Sequence, residues 1–81
     1  MILYGTMKMI EKGLWQAVIP QLLVGEFGES AHSAKMMLKG KILNFAPSLD
    51  FNIIWDGEQL WLETKDYIGF AKLILSRNGA V

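Results

Sequence analysis

The chain has 81 residues, 52% of them hydrophobic, with eight Lys and Arg set against eight Asp and Glu and no cysteine. A chain of this length forms one domain and buries only about 60–65% of its unfolded surface, and its balanced charge gives no global electrostatic drive toward nucleic acid or an anionic membrane. The missing cysteine excludes disulfides, thiolate nucleophiles and cysteine-based zinc sites, and no apolar run approaches the roughly 20 residues of a membrane span.

The N-terminal MILYGTMKM lacks the basic region, long apolar core and cleavage site of a signal peptide, so a cytoplasmic location is expected. Residues 2 to 10 are rich in β-branched and aromatic types and predict a strand, with Gly5 as a weak point or bulge. Glu11-Lys12-Gly13 offers a polar turn with a glycine free to take positive φ, which predicts a hairpin. Trp15, Ala17 and Ile19 then alternate with Gln16 and Val18, the period of two of a strand with one face more buried. Pro20 has no N–H to give to a ladder and ends that strand. A third strand is expected from about Leu22 to Phe27, as a meander.

Gly28-Glu29-Ser30 reads as a helix entry: Ser30 is suited to accept from an orphan N–H near Ser33, and Glu29 sits by the positive end of the helix dipole. The helix should run from Ala31 to Phe45, with Ala31, Ala34, Met37, Leu38, Ile42 and Phe45 forming one apolar stripe. Burying Met37, Leu38, Ile42 and Phe45 at about 2 kcal/mol each leads to an expected 3–5 kcal/mol for Phe45→Ala. The other face carries His32, Lys35, Met36, Lys39 and Leu43. Pro47 disfavours helical geometry at Ala46 and fixes the stop.

From Phe51 to Thr64, FNIIW and EQLWLET flank Asp56-Gly57, a strong two-residue turn signal, and Trp55 and Trp61 are candidates for a cross-strand aromatic contact. From Asp66 to Gly79, Tyr67, Phe70, Ala71, Ile74 and Leu75 recur at helical spacing, with Asp66 to cap and Asn78-Gly79 to stop. The nearly continuous apolar run YIGFAKLIL also fits a strand. The fold expected is a single α+β domain over residues 1–81: an antiparallel sheet with one main helix packed on one face, in the order β-β-β-α-β-β with a C-terminal helix.

One stretch carries a family likeness. Gly13, Trp15, Ala17, Ile19 and Pro20, then Gly28-Glu29-Ser30, then Ala34 resemble the pattern of the HicB-like antitoxins; Gly28 falls eight residues and Ala34 fourteen after Pro20. The likeness covers about residues 1–46. It departs from the family at Leu23-Val24, where a Pro-Gly pair is usual, and at Ser33, where an acidic residue is usual. The resemblance implies a HicB-like fold akin to a truncated ribonuclease H. It also implies an antitoxin that neutralises a small basic HicA-like ribonuclease toxin by covering its active site.

Catalytic chemistry has little footing in the residues themselves. His32 is the only histidine and lies beside Ser30 and Ser33 at a helix start, where a serine ordinarily caps. The carboxylates are scattered, whereas a metal-dependent or retaining hydrolase needs two or more converging. Gly25-x-x-Gly28 lacks the Lys-Ser/Thr of a phosphate loop and reads as turn chemistry. Lys35, Lys39, Lys41, Lys72 and Arg77 give at most a modest basic surface, so direct nucleic-acid binding is not expected. No enzyme, cofactor or metal is expected. The high apolar content points to an interface, so a homo-oligomer, a dimer or higher, is expected. Partner contacts are expected from Trp55, Met36, Lys35 and Lys39, with Trp15 and Trp61 as alternative core members.

Overall fold

The computed structural model describes residues 1–79. Its longest strand, β1 (Ile2–Glu11), occupies the middle of a five-stranded sheet and is bordered on one side by β2 (Leu14–Ile19) and β3 (Val24–Gly28). On its other side lie β5 (Gln59–Glu63) and β4 (Asn52–Asp56), giving the order β3-β2-β1-β5-β4 with every neighbour antiparallel. Two helices complete the α+β domain, α1 (Ala31–Phe45) after β3 and α2 (Tyr67–Arg77) after β5.

Because side chains alternate across a strand, register decides which residues meet. Met7 pairs with Ala17, Leu3 with Leu62 and Leu62 with Ile53, so these residues share a face, and all are buried. Ala31, Ala34, Leu38 and Ile42 of α1, with Phe70 and Leu73 of α2, join the same cluster. Both helices therefore lie on one side of the sheet. Across the other side the strands present Ile2 and Tyr4, 47% and 69% exposed, and no described helix or strand covers them.

Gly5 is neither a bulge nor a weak point. A Cβ there would press on the carbonyl of Val18 and lie 3.1 Å from Cγ1 of Ile19, so the glycine lets β2 cross close to β1. The irregularity in β1 comes later, where register shifts between Met9 and Glu11. The third strand also starts later than expected. Pro20, with its φ preset, opens a short 3-10 turn through Leu22, and Leu23 takes a left-handed φ of 52° while its N–H donates to the Pro20 carbonyl at 2.9 Å. That reversal puts buried Leu22 in the core, leaves Leu23 outside, and begins β3 at Val24. Gly25 and Gly28 accordingly belong to a strand, not a turn.

Helix α1 has the bounds its caps dictate. Ser30 Oγ accepts from the Ser33 N–H at 3.0 Å, and Ala46, before Pro47, lies outside helical geometry. Its apolar stripe is narrower than expected. Met37 and Phe45 are 53% and 40% exposed. Met37 falls on the flank with Lys41, whose ammonium meets Glu26 at 3.3 Å. Phe45, in the last turn, lies under the Arg77 guanidinium, 4.1 Å from the ring centroid, instead of against the sheet. Phe45→Ala should therefore cost about 1–2 kcal/mol by urea denaturation, well below the 3–5 kcal/mol of a fully buried phenylalanine.

The β4–β5 turn is Gly57-Glu58, one residue on from the Asp56-Gly57 pair, because Asp56 still pairs with Gln59. Gly57 takes φ 63° and is the first central residue, the position a type II′ hairpin reserves for glycine. The C-terminal alternative resolves as a helix. Asp66 Oδ1 accepts from the Gly69 N–H at 2.9 Å. Phe70, Leu73 and half-buried Ile74 and Arg77 face inward, whereas Tyr67, Ala71 and Leu75, expected on the apolar stripe, are exposed. Arg77 Nε and Nη2 donate to the carbonyls of Leu22 and Leu23, each at 3.0 Å, and Asn78 Nδ2 donates to that of Gln21 at 3.0 Å. These bonds tie the end of α2 to the 3-10 turn.

Candidate functional site

The four residues expected to meet a partner all lie on the helix-bearing side, but they do not form one patch. Trp55 projects from the core face of β4, 39% exposed, and its indole N–H donates to the Gly57 carbonyl at 2.6 Å. Its ring meets Trp15 edge to face, with centroids 6.4 Å apart and planes at 71°. This contact replaces the expected pairing with Trp61. Trp61 pairs instead with Ile54 on the outer face, where its N–H donates to Glu63 Oε1 at 3.1 Å. Trp61 is consequently half-buried on the outer face and is not a core residue.

Lys39 is half-buried with its ammonium 5.8 Å from the centroid of the Phe51 ring, and Lys35, one turn earlier, is half-buried too. Met36 stands apart, 49% exposed, beside a shallow depression of about 370 Å³ shared with Glu26, Met37 and Lys41. A larger depression, about 730 Å³, lies between Met1, Asp50, Phe51, Glu63 and Tyr67. Buried Thr64 organises that region: its hydroxyl donates to the Asp50 carbonyl at 2.7 Å and accepts from the Asp66 N–H at 2.9 Å.

Charge is unevenly placed. Acidic residues predominate in and beside the β4–β5 hairpin: Asp56 and Glu58 lie at its turn, and Asp50, Glu63 and Asp66 at the opposite end, where Lys65 and Lys39 oppose them. Among the described residues, no group of three His, Asp or Glu side chains is arranged to hold a metal ion. His32 is exposed on the first turn of α1, and the neighbouring Ser30 hydroxyl serves as the cap.

The residues of the glycine–tryptophan–proline pattern have structural positions. Gly13 turns the first hairpin at φ 79° and Pro20 opens the 3-10 turn. Ala17 and Ala34 are fully buried, Trp15 is half-buried, and Glu29 is exposed just before the Ser30 cap. Gly28 lies directly against the backbone of Ser33 and Ala34.

Sequence reasoning missed the outer face of the sheet, where Tyr4, Trp61 and Ile54 stand in one transverse row. The available signal was parity: these residues alternate with Leu3, Leu62 and Ile53, which form the core. Among the described residues no helix is long and apolar enough to cross a membrane. Comparison of the chain with protein-family models, with curated proteins and with solved structures finds no match.

Proposed function

We propose that the chain is a non-enzymatic protein-interaction module, most like a HicB-type cytoplasmic antitoxin that binds and neutralises a small basic ribonuclease toxin. The observation that supports this most directly is the contact of Gly28 with Ala34 in a β-β-β-α unit. Those two residues hold the spacing of the HicB-like pattern and act together in closing the helix onto the sheet. The acidic β4–β5 hairpin gives the electrostatic complement that a basic partner requires. Trp55 at the end of that hairpin supplies an aromatic anchor; Met36, Lys35 and Lys39 lie on the same side of the sheet but outside that patch.

The test is an affinity pull-down of the tagged protein from its native host, followed by assay of what comes with it. A small basic protein recovered in stoichiometric amount, whose RNA cleavage stops when the chain is added back, supports the antitoxin reading. Replacing Trp55 with Ala should then weaken the complex about tenfold or more, as removal of an aromatic anchor does. Recovery of the chain alone as a homo-oligomer would favour a second reading: a stand-alone oligomeric binding or inhibitor protein of the same fold. The uncovered row of Tyr4, Trp61 and Ile54 on the outer face of the sheet is the observation that speaks for it.

A further inference from the structure

We infer that two copies of this chain pair face to face through the outer surface of the sheet. Ile2, Tyr4, Val18, Phe27, Ile54 and Trp61 lie on that surface by strand parity, and all are exposed or half-buried. Tyr4, 69% exposed, stands in one row with Trp61 and Ile54, a group of large apolar side chains that a lone domain seldom leaves uncovered. Phe27, 51% exposed, lies apart in the Lys8–Gln16 row, and Thr6, Gln59 and Asn52 are the polar residues around the Tyr4 row. Every fully buried strand residue lies on the opposite face, so nothing within the described chain satisfies this one.

The dimensions fit a second copy. Five strands at ~4.8 Å spacing span about 24 Å, and the length runs from about 17 Å for five residues to about 34 Å for the ten of β1. The flat footprint is therefore roughly 400–800 Å², comparable to the approximately 800 Å² each partner contributes to a standard stable interface. Two sheets stacked at about 10 Å would turn this two-layer domain into a four-layer dimer with the helices outermost.

Charge selects how the copies stack. Lys8 stands on the outer face toward one end of β1, beside Gln16, and Glu63 stands toward the other end, paired with Ile2. A two-fold axis lying across the strands reverses the rows, so Lys8 of each copy comes over the Glu63 end of the other. The alternative axis, along β1, would set Lys8 over Lys8 and carry Glu63 to the β2 side, away from any lysine. The proposal thus commits to one partner and one orientation, and it holds whether or not a toxin also binds the helix-bearing side.

The purified full-length protein tests this by sedimentation equilibrium. Wild type should weigh twice 9.1 kDa, and Tyr4→Glu should shift it to the monomer mass with an unchanged far-ultraviolet circular dichroism spectrum. Ile68→Glu, at a site 72% exposed on α2, should leave the dimer intact. Lys8→Glu and Glu63→Lys should each weaken association, and the double exchange should restore it to within a fewfold of wild type. A wild-type monomer throughout the micromolar range overturns the proposal. So does a dimer that Ile68→Glu dissociates and Tyr4→Glu leaves whole, and failure of the double exchange overturns the orientation. Because no toxin takes part, these outcomes are independent of the pull-down.

Discussion

Phe70→Ala is expected to lower stability by 3–5 kcal/mol, with the urea midpoint falling and the m-value unchanged. Phe70 is fully buried, and its ring stands edge-on to Phe51, with centroids 5.5 Å apart and planes at 79°. It is also the main fixed point of α2 on the core, with Leu73 alone buried beside it on that helix. Losing the ring removes apolar burial and an aromatic pair, and leaves a cavity between the helix and the loop before β4. A domain of this size carries a total stability of about 4–12 kcal/mol, so the variant should sit close to the unfolding threshold. A loss under about 1 kcal/mol would show that α2 is not part of the cooperative unit.

Gly28→Ala and Gly5→Ala should each destabilise by at least about 1–3 kcal/mol, the range for overfilling a packed interior. The added methyl at position 28 would lie 2.7 Å from the Ser33 carbonyl carbon and 2.8 Å from Ala34 Cα, with the Ala34 nitrogen closer still. These are backbone atoms, so the whole first turn of α1 must retreat. At Gly5 the obstruction is the Val18 carbonyl of the neighbouring strand. Neither glycine has positive φ. Alanine would otherwise gain about 0.4–1 kcal/mol by restricting the unfolded chain, so the sign of the effect is diagnostic. A higher melting temperature in either variant would mean that the backbones are not in contact there.

The elements that could be read from the sequence are those with a chemical marker at each end. Helix α1 has Ser30 before it and Pro47 shortly after it, and its observed bounds are the expected ones. Asp66 and Asn78-Gly79 likewise bracket α2, although its apolar composition left a strand open. The side-chain directions were less accessible. Met37 and Phe45 fit a helical stripe by spacing, but whether the sheet or Arg77 lies beneath them depends on how far α1 extends over the strands and where α2 ends. Any two-residue turn here pairs odd-numbered with even-numbered residues, so Trp55 and Trp61 stand on opposite faces, and the observed turn at Gly57-Glu58 pairs Trp61 with Ile54. Leu23 illustrates a different limit: a left-handed leucine is seldom expected from sequence, and its carbonyl and that of Leu22 are held by one side chain, Arg77, 54 and 55 residues away. For the candidate partner surface, the residue types were visible but their separation was not. Trp55 is docked on Trp15, while Met36 stands on the solvent side of α1.

The central place of β1 has a consequence for synthesis. The strand emerges first and finds β2 at once, yet its other neighbour, β5, ends at Glu63. At 5–20 residues per second, the 52 residues between Glu11 and Glu63 take about 3–10 s to translate, during which one edge of β1 has no strand beside it. A nascent chain stalled after α1 would display a three-stranded sheet with that edge open and Leu3 and Met7 short of their full covering. Such an edge is the species a chaperone would be needed to shield.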